Sequence, residues 1–134
     1  MNILYVSDDI EIRPLNESHA TELFGLINDN REYLREWLTW VDATTTEDDI
    51  RGNIIKAANN INDRVSIDLG IFFGNKLIGK IGTHQIVWET KRTKIGYWIS
   101  QGYSGRGIVT QSVSAFLDYL FDQLGLNHIT IRMQ

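Results

Sequence analysis

A mixed α/β fold is what this sequence predicts, and three features predict it. The apolar, aromatic-rich run Ile95-Gly96-Tyr97-Trp98-Ile99-Ser100 has strand length. It feeds a loop holding Gly102, Gly105 and Gly107, then a helical pattern, then a second apolar run at His128-Ile129-Thr130-Ile131. Such a unit implies parallel strands joined by a right-handed crossover. Upstream, residues 65–73 and 77–87 flank Gly74-Asn75-Lys76, a loop of hairpin length and composition, which implies antiparallel pairing. The remaining helices fall between the first strand and that hairpin, unlike the strict alternation of a doubly wound sheet. The expectation is antiparallel strands followed by one parallel strand, glycine loop, helix, strand unit.

Taken in order, Asp9-Ile10-Glu11-Ile12-Arg13 alternates polar and apolar residues and reads as a strand with one buried face. Pro14-Leu15-Asn16 ends it, and Asn16 caps a first helix whose stripe is Ala20, Leu23, Phe24 and Ile27. Asn30 is the expected cap of a second, short helix carrying Tyr33, Leu34, Trp37 and Leu38. Thr46, followed by Glu47, Asp48 and Asp49, starts a third, because the hydroxyl caps and the acids suit the positive helix end. Its buried side is Ile50, Ile54, Ala57 and Ala58. Gly79 and Gly82 in the second hairpin strand imply a bulge or a close backbone approach. From 110 to 124, Val113, Phe116, Leu117, Leu120, Phe121 and Leu124 recur at helical steps, and Gly125 sits where a left-handed C-cap belongs.

With 134 residues and no internal repeat or linker, one domain spanning 1–134 is expected. No window is long and apolar enough for a membrane span, and the first residues lack the pattern of a signal peptide. The absence of cysteine removes disulfides and thiolate nucleophiles, in keeping with a cytoplasmic protein. A formal charge of −4 argues against a general nucleic-acid binder, and Lys91, Arg92 and Lys94 read as a solvated loop. The acids of Glu47-Asp48-Asp49 point in different directions on a helix, so no metal site is expected there.

Glycines before a helix let an anion approach its unpaired N–H groups, and Arg106 could add a cationic contact. A dinucleotide fingerprint would need glycine at Thr110, and no Lys-Ser/Thr pair follows Gly107 as a P-loop requires. A plain tight turn is the other reading of these residues. Trp37 and Trp40 read either as core or as a wall for a bound acceptor.

Gly105-Arg106-Gly107 at a helix start, behind Ile95-Gly96-Tyr97-Trp98-Ile99, resembles the acetyl-coenzyme A loop of the GNAT superfamily of N-acetyltransferases, and within it the RimL-type ribosomal-protein N-terminal branch. The order of elements is similar along nearly the whole chain. The resemblance implies a pyrophosphate held by loop N–H groups and a pantetheine arm paired to the preceding strand. The implied cofactor residues are Trp98, Ile99, Ser100, Tyr103, Ser104, Gly105, Arg106, Gly107, Ile108, Val109 and Thr110, with an oxyanion donor among the N–H groups of residues 98–100. Trp37 and Trp40 would bind the acceptor.

Acetyl transfer needs a neutral amine, and an α-amino group loses its proton about two units more readily than a lysine side chain. Glu89, just before the site strand, is the first candidate base, and His84, on the preceding strand, the second. Family members often carry Gln or Arg where this chain has Gly102, and RimL-type members often carry Glu where it has Lys94. The family also continues past the strand at 128–132, so a C-terminally shortened domain is expected. The implied activity is acetyl transfer from acetyl-CoA to the N-terminal amine of a protein. The alternatives are a catalytically weak acetyl-CoA-binding module and an acetyltransferase of a small amine. An apolar edge at Ile129 and Ile131 predicts a homo-oligomer.

Overall fold

The computed structural model describes residues 3–36 and 38–131. Six strands form one sheet in which spatial order equals chain order. Strands β1 (Leu4–Tyr5), β2 (Ile10–Arg13), β3 (Asp68–Phe73), β4 (Lys76–Thr83) and β5 (Arg92–Ile99) pair antiparallel in succession. β6 (His128–Ile131) then joins β5 in parallel, and α4 (Ile108–Asp122) makes the crossover. The mixed fold predicted from the sequence is therefore present. β1 was not anticipated, because two residues are too few to show a period.

Helices α1 (Ala20–Asp29), α2 (Arg31–Arg35) and α3 (Glu47–Asn62) cover one face of the sheet. Leu23, Ile27, Leu34, Ile50 and Ile54 pack there against Phe72, Leu77 and Trp98. On the other face Ile108, Phe116 and Leu120 of α4 pack against Ile12, Leu69, Ile71 and Ile95. The alternation of Ile10 and Ile12 with Glu11 and Arg13 thus places the isoleucines on the α4 side.

The glycines of β4 are explained by its neighbours. Ile71 pairs with Gly79 while Phe72 pairs with Leu77, so Ile78 is an extra residue in a bulge. The bulge lets Ile78 and Ile81, three apart, share the α4 core while Leu77 serves the other. A Cβ on Gly79 would stand 2.9 Å from the Ile99 Cα, and one on Gly82 would stand 2.6 Å from the Ile67 carbonyl oxygen. Side chains are excluded at both positions. The hairpin turn is tighter than expected: Gly74 and Asn75 both take positive φ (54° and 69°), and Lys76 already belongs to β4.

Thr46 caps as predicted, whereas Asn16 caps a single 3-10 turn, Glu17–His19, that leads into α1. The Thr46 hydroxyl accepts the Asp49 N–H at 3.1 Å, and the Asp49 carboxylate accepts the N–H groups of Thr45 and Thr46, each at 3.2 Å. On α3, Ala58 is exposed, because the helix turns Ala57 and Ile61 toward the sheet instead. On α4, Phe121 is 42% exposed, while Ser112 lies in the buried face with Phe116 and Leu120. α4 also begins two residues earlier than its apolar stripe implied, immediately after left-handed Gly107 (φ 76°). Gly125 (φ 69°) closes it as expected, and the Leu126 N–H reaches back to the Leu120 carbonyl at 3.1 Å.

Asn30 does not cap α2. Its side chain is buried, donating to the Leu26 carbonyl at 2.7 Å and accepting the Gln101 N–H at 3.0 Å.

Candidate active site

The site forms where β5 ends. Ser100 donates its N–H to the Ile78 carbonyl at 2.7 Å, and the Lys94 carbonyl accepts the His84 N–H at 2.8 Å. Even-numbered residues of β5 therefore turn their backbone groups toward β4, and alternation turns those of Tyr97 and Ile99 the other way. On that side the pairing with β6 extends to Ile95 among the described residues. Among the described residues, Tyr97 and Ile99 thus present backbone donors and acceptors along an open edge. Of the 98–100 segment, Ile99 turns its N–H to that side, without a partner among the described residues.

Beyond the strand, Gln101–Tyr103 makes one short turn, and Gly105 and Gly107 both take φ 76°. Left-handed backbone favours glycine at these two positions. Gly107 is the N-cap of α4 and gives no side-chain cap, so the first-turn N–H groups of Ile108, Val109 and Thr110 are left open to a ligand. Open donors, a positive helix end and a backbone without side chains suit a pyrophosphate. The Ile108 side chain is buried in the core, so it meets a ligand only through its backbone. The Tyr103 ring turns away toward Phe73, with centroids 5.7 Å apart, and the Arg106 guanidinium lies 5.1 Å from the Tyr103 ring centre.

Two cavities adjoin this edge. The smaller, about 160 Å³, is lined by Tyr33, Leu34, Trp98, Ile99, Ser104, Gly105 and Val109 among others. The larger, about 530 Å³, lies under α1–α3 and is lined by Trp40, Asp68, Lys80, His84 and Trp98 among others. Leu38, Tyr97 and Trp98 line both. A molecule in each would therefore meet its neighbour at the Tyr97–Trp98 pair. The Trp40 and Trp98 rings stand 6.4 Å apart and tilted by 51°. Trp37 lies outside the described residues.

Of the two candidate bases, only His84 lines a cavity. Glu89 is exposed in the turn that precedes β5 and lines neither. Its closeness in sequence to the site strand misleads, because the site is at the far end of that strand. The eight residues of β5 carry the chain about 25 Å. Among the described residues, no three His, Asp or Glu side chains gather as a metal site.

Sequence reasoning missed Asp68 and Lys80, which pair at 2.7 Å in the wall of the larger cavity, and it misassigned Asn30. Nothing local signals these partnerships, since register and tertiary packing create them.

The chain is similar along nearly its whole length to known proteins. Residues 9–134 match the sequence profile of the acetyltransferase (GNAT) domain. The chain belongs to the GNAT acetyltransferase family. It is 31% identical over 127 residues to YdaF of Bacillus subtilis, which is named as a ribosomal N-acetyltransferase, covering 94% of this chain and 69% of that one. It is 28% identical to the ribosomal-protein-serine acetyltransferase of Escherichia coli, covering 95% of this chain and 71% of that one. The structure of RimL, a ribosomal alpha-N-protein acetyltransferase in complex with coenzyme A, superposes with a TM-score of 0.93. That match has 25% identity and covers 97% of this chain and 73% of RimL. This GNAT domain is thus an acyltransferase by kinship, and its sheet is that of the RimL structures. No helix among the described residues is long and apolar enough to cross a membrane.

Proposed function

We propose that this GNAT domain moves the acetyl group of acetyl-CoA to a primary amine, with a protein N-terminus as acceptor. The observation that carries the reading is the pair of cavities that meet at Tyr97 and Trp98 beside the open edge of β5. The open N–H groups at the start of α4 hold the pyrophosphate, and Gly105, Ser104 and Val109 flank the entry of the pantetheine arm. That arm pairs with Tyr97 and Ile99 and brings the thioester to the junction of the cavities. The acceptor enters the larger cavity past Trp40.

The amine nitrogen attacks the thioester carbon, the C–N bond forms and the C–S bond breaks. The Ile99 N–H stabilises the oxyanion, and the thiolate leaves and takes up a proton from water. The proton lost by nitrogen passes to His84. His84 lies just past the end of β4 rather than on it, and its N–H bonds to Lys94, four residues from Trp98 along β5, so the transfer runs through cavity water. RimL is named for α-amino acetylation of a ribosomal protein, and the E. coli relative for a ribosomal-protein serine. Both names, with the easier deprotonation of an α-amine, support an N-terminal acceptor and a cytoplasmic site of action.

Calorimetric titration with acetyl-CoA, followed by thiol release against N-terminal peptides, lysine side chains, aminoglycosides and polyamines, tests the reading. Tight binding and preference for N-terminal peptides are expected. Binding without turnover would mark a nucleotide-binding module, and preference for another amine would move the acceptor class. We also propose self-association through β6, which pairs on one side only among the described residues and exposes 42% of Ile131. Sedimentation across a concentration series checks this, and a monomer at high micromolar concentration rejects it.

A further inference from the structure

The floor of the larger cavity is patterned across the sheet. Register aligns Asp68 of β3, Gly82 of β4 and Gly96 of β5 in one row, and Gly70, Lys80 and Trp98 in the next. These rows lie on the face that carries Trp98, and the two adjacent glycines make a trough with no side chains in it. At its far end stands the Asp68 carboxylate. Lys80 donates to Asp68 Oδ2 at 2.7 Å, while Oδ1 accepts no hydrogen bond among the described residues and lies over Gly82, where an added Cβ would come within 3.1 Å of it.

The two charges are unequally accessible. The Lys80 side chain is 14% exposed and the Asp68 side chain 44%. Lys80 is turned inward and committed to its partner, whereas Asp68, which also lines the cavity, keeps one oxygen without a hydrogen bond among the described residues. A carboxylate oriented by a lysine on one oxygen still offers lone pairs to a cation on the other.

Resting on the acetyl-transfer reading, we propose that Asp68 is a specificity residue that binds a second positive charge of the acceptor peptide, a lysine or arginine side chain next to the reacting terminus. From Oδ1, over Gly82, Trp98 lies one strand spacing across and two residues along, about 8 Å. That span is too long for Asp68 to hold the reacting amine at Trp98, and it matches the reach of a basic side chain from the residue that follows. A remote anchor also leaves the reacting amine free to lose its proton, which a carboxylate in direct contact would oppose.

The test uses peptides that differ only at the second residue, Lys, Gln or Glu. Two readouts are taken: kcat/KM for acetylation, and peptide affinity from quenching of tryptophan fluorescence, which reads the anchor without turnover. The wild type should prefer Lys over Gln by about three- to tenfold at low salt, and salt should erode the difference. Asp68→Asn should bring the Lys-to-Gln ratio close to one. Lys80→Met, which keeps the carboxylate and removes the competing cation, should widen the ratio, and it remains informative if Asp68→Asn fails to fold. Equal binding of all three peptides by wild type would overturn the anchor, as would a preference for Glu. Loss of turnover with the binding preference intact would fault the acetyl-transfer reading and leave the anchor standing.

Discussion

Asn30 at the end of α1 and Gln101 at the start of the glycine loop are joined by a 3.0 Å hydrogen bond from the Gln101 N–H to the Asn30 side-chain oxygen. The same oxygen accepts the Ser100 hydroxyl at 3.4 Å, and the amide nitrogen is fixed by the Leu26 carbonyl at 2.7 Å. A helix on one face of the sheet thereby sets where the loop leaves β5. Truncation to Asn30→Ala removes the side-chain partner of the Gln101 N–H, a part-buried hydrogen bond whose loss costs about 1 kcal/mol. Thermal melting should show that loss, and calorimetry should show weaker acetyl-CoA binding. Asn30→Asp keeps the acceptor oxygen and should retain more of the affinity. Equal affinity in the folded Asn30→Ala protein would separate the contact from the loop's function.

Gly107 combines positive φ with an uncapped helix end, so two substitutions separate strain from blockage. Ala at 107 carries a left-handed cost of about 1 kcal/mol, and its Cβ meets only the Gln111 side chain at 3.9 Å. Asp carries a comparable strain and adds a negative charge where the pyrophosphate would sit. Gly107→Asp should lower coenzyme A affinity at least tenfold, about 1.4 kcal/mol, and by more than Gly107→Ala does. Calorimetric titration of both variants decides whether the helix end is the anion site.

These two residues also show what the chain discloses locally. Gly107, like Gly74 and Gly125, announces its turn because a positive φ restricts the residue type at that position. The strand, loop, helix, strand unit was legible for the same reason, since each boundary is marked within a few residues. Asn30 was misread because asparagine before a helix ordinarily caps it, and its true partner lies 71 residues away. The Asp68–Lys80 pair depends on the register of β3 against β4, which the bulge at Ile78 resets. Glu89 shows the converse error. Proximity along the chain suggested a role at the site, and the length of β5 places it at the opposite end of the strand.

The start of α3 makes a prediction about acid. Asp49 is held below the ordinary aspartate value, first by the Thr45 N–H, then by the Thr46 side chain and N–H. Because its folded pKa is depressed, the stabilisation is complete above the unfolded value and is lost as pH falls through the folded one. An NMR titration of the Asp49 carboxyl carbon should give a midpoint below that of an unstructured peptide. Below that midpoint, the protection factors of the first-turn amides of α3, taken against intrinsic rates at the same pH, should fall. Asp49→Asn should flatten both responses.

His84 is where the catalytic proposal is most exposed. It lines the larger cavity but is not walled in by it, and no other histidine lines either cavity. If the imidazole takes the amine proton, its removal must act on turnover and spare assembly of the complex. General-base catalysis contributes typically 10²–10⁴-fold. His84→Ala should therefore lower kcat by about 100-fold or more, while acetyl-CoA affinity stays within about twofold. His84→Gln, which keeps a polar side chain but not the base, should be equally impaired. A substrate that arrives already deprotonated needs no base, so raising the pH should restore a larger fraction of activity to the variants than to wild type. Should His84→Gln retain near-normal kcat at neutral pH, the proton would have to leave the acceptor directly to solvent, and the residue would be only part of the cavity wall.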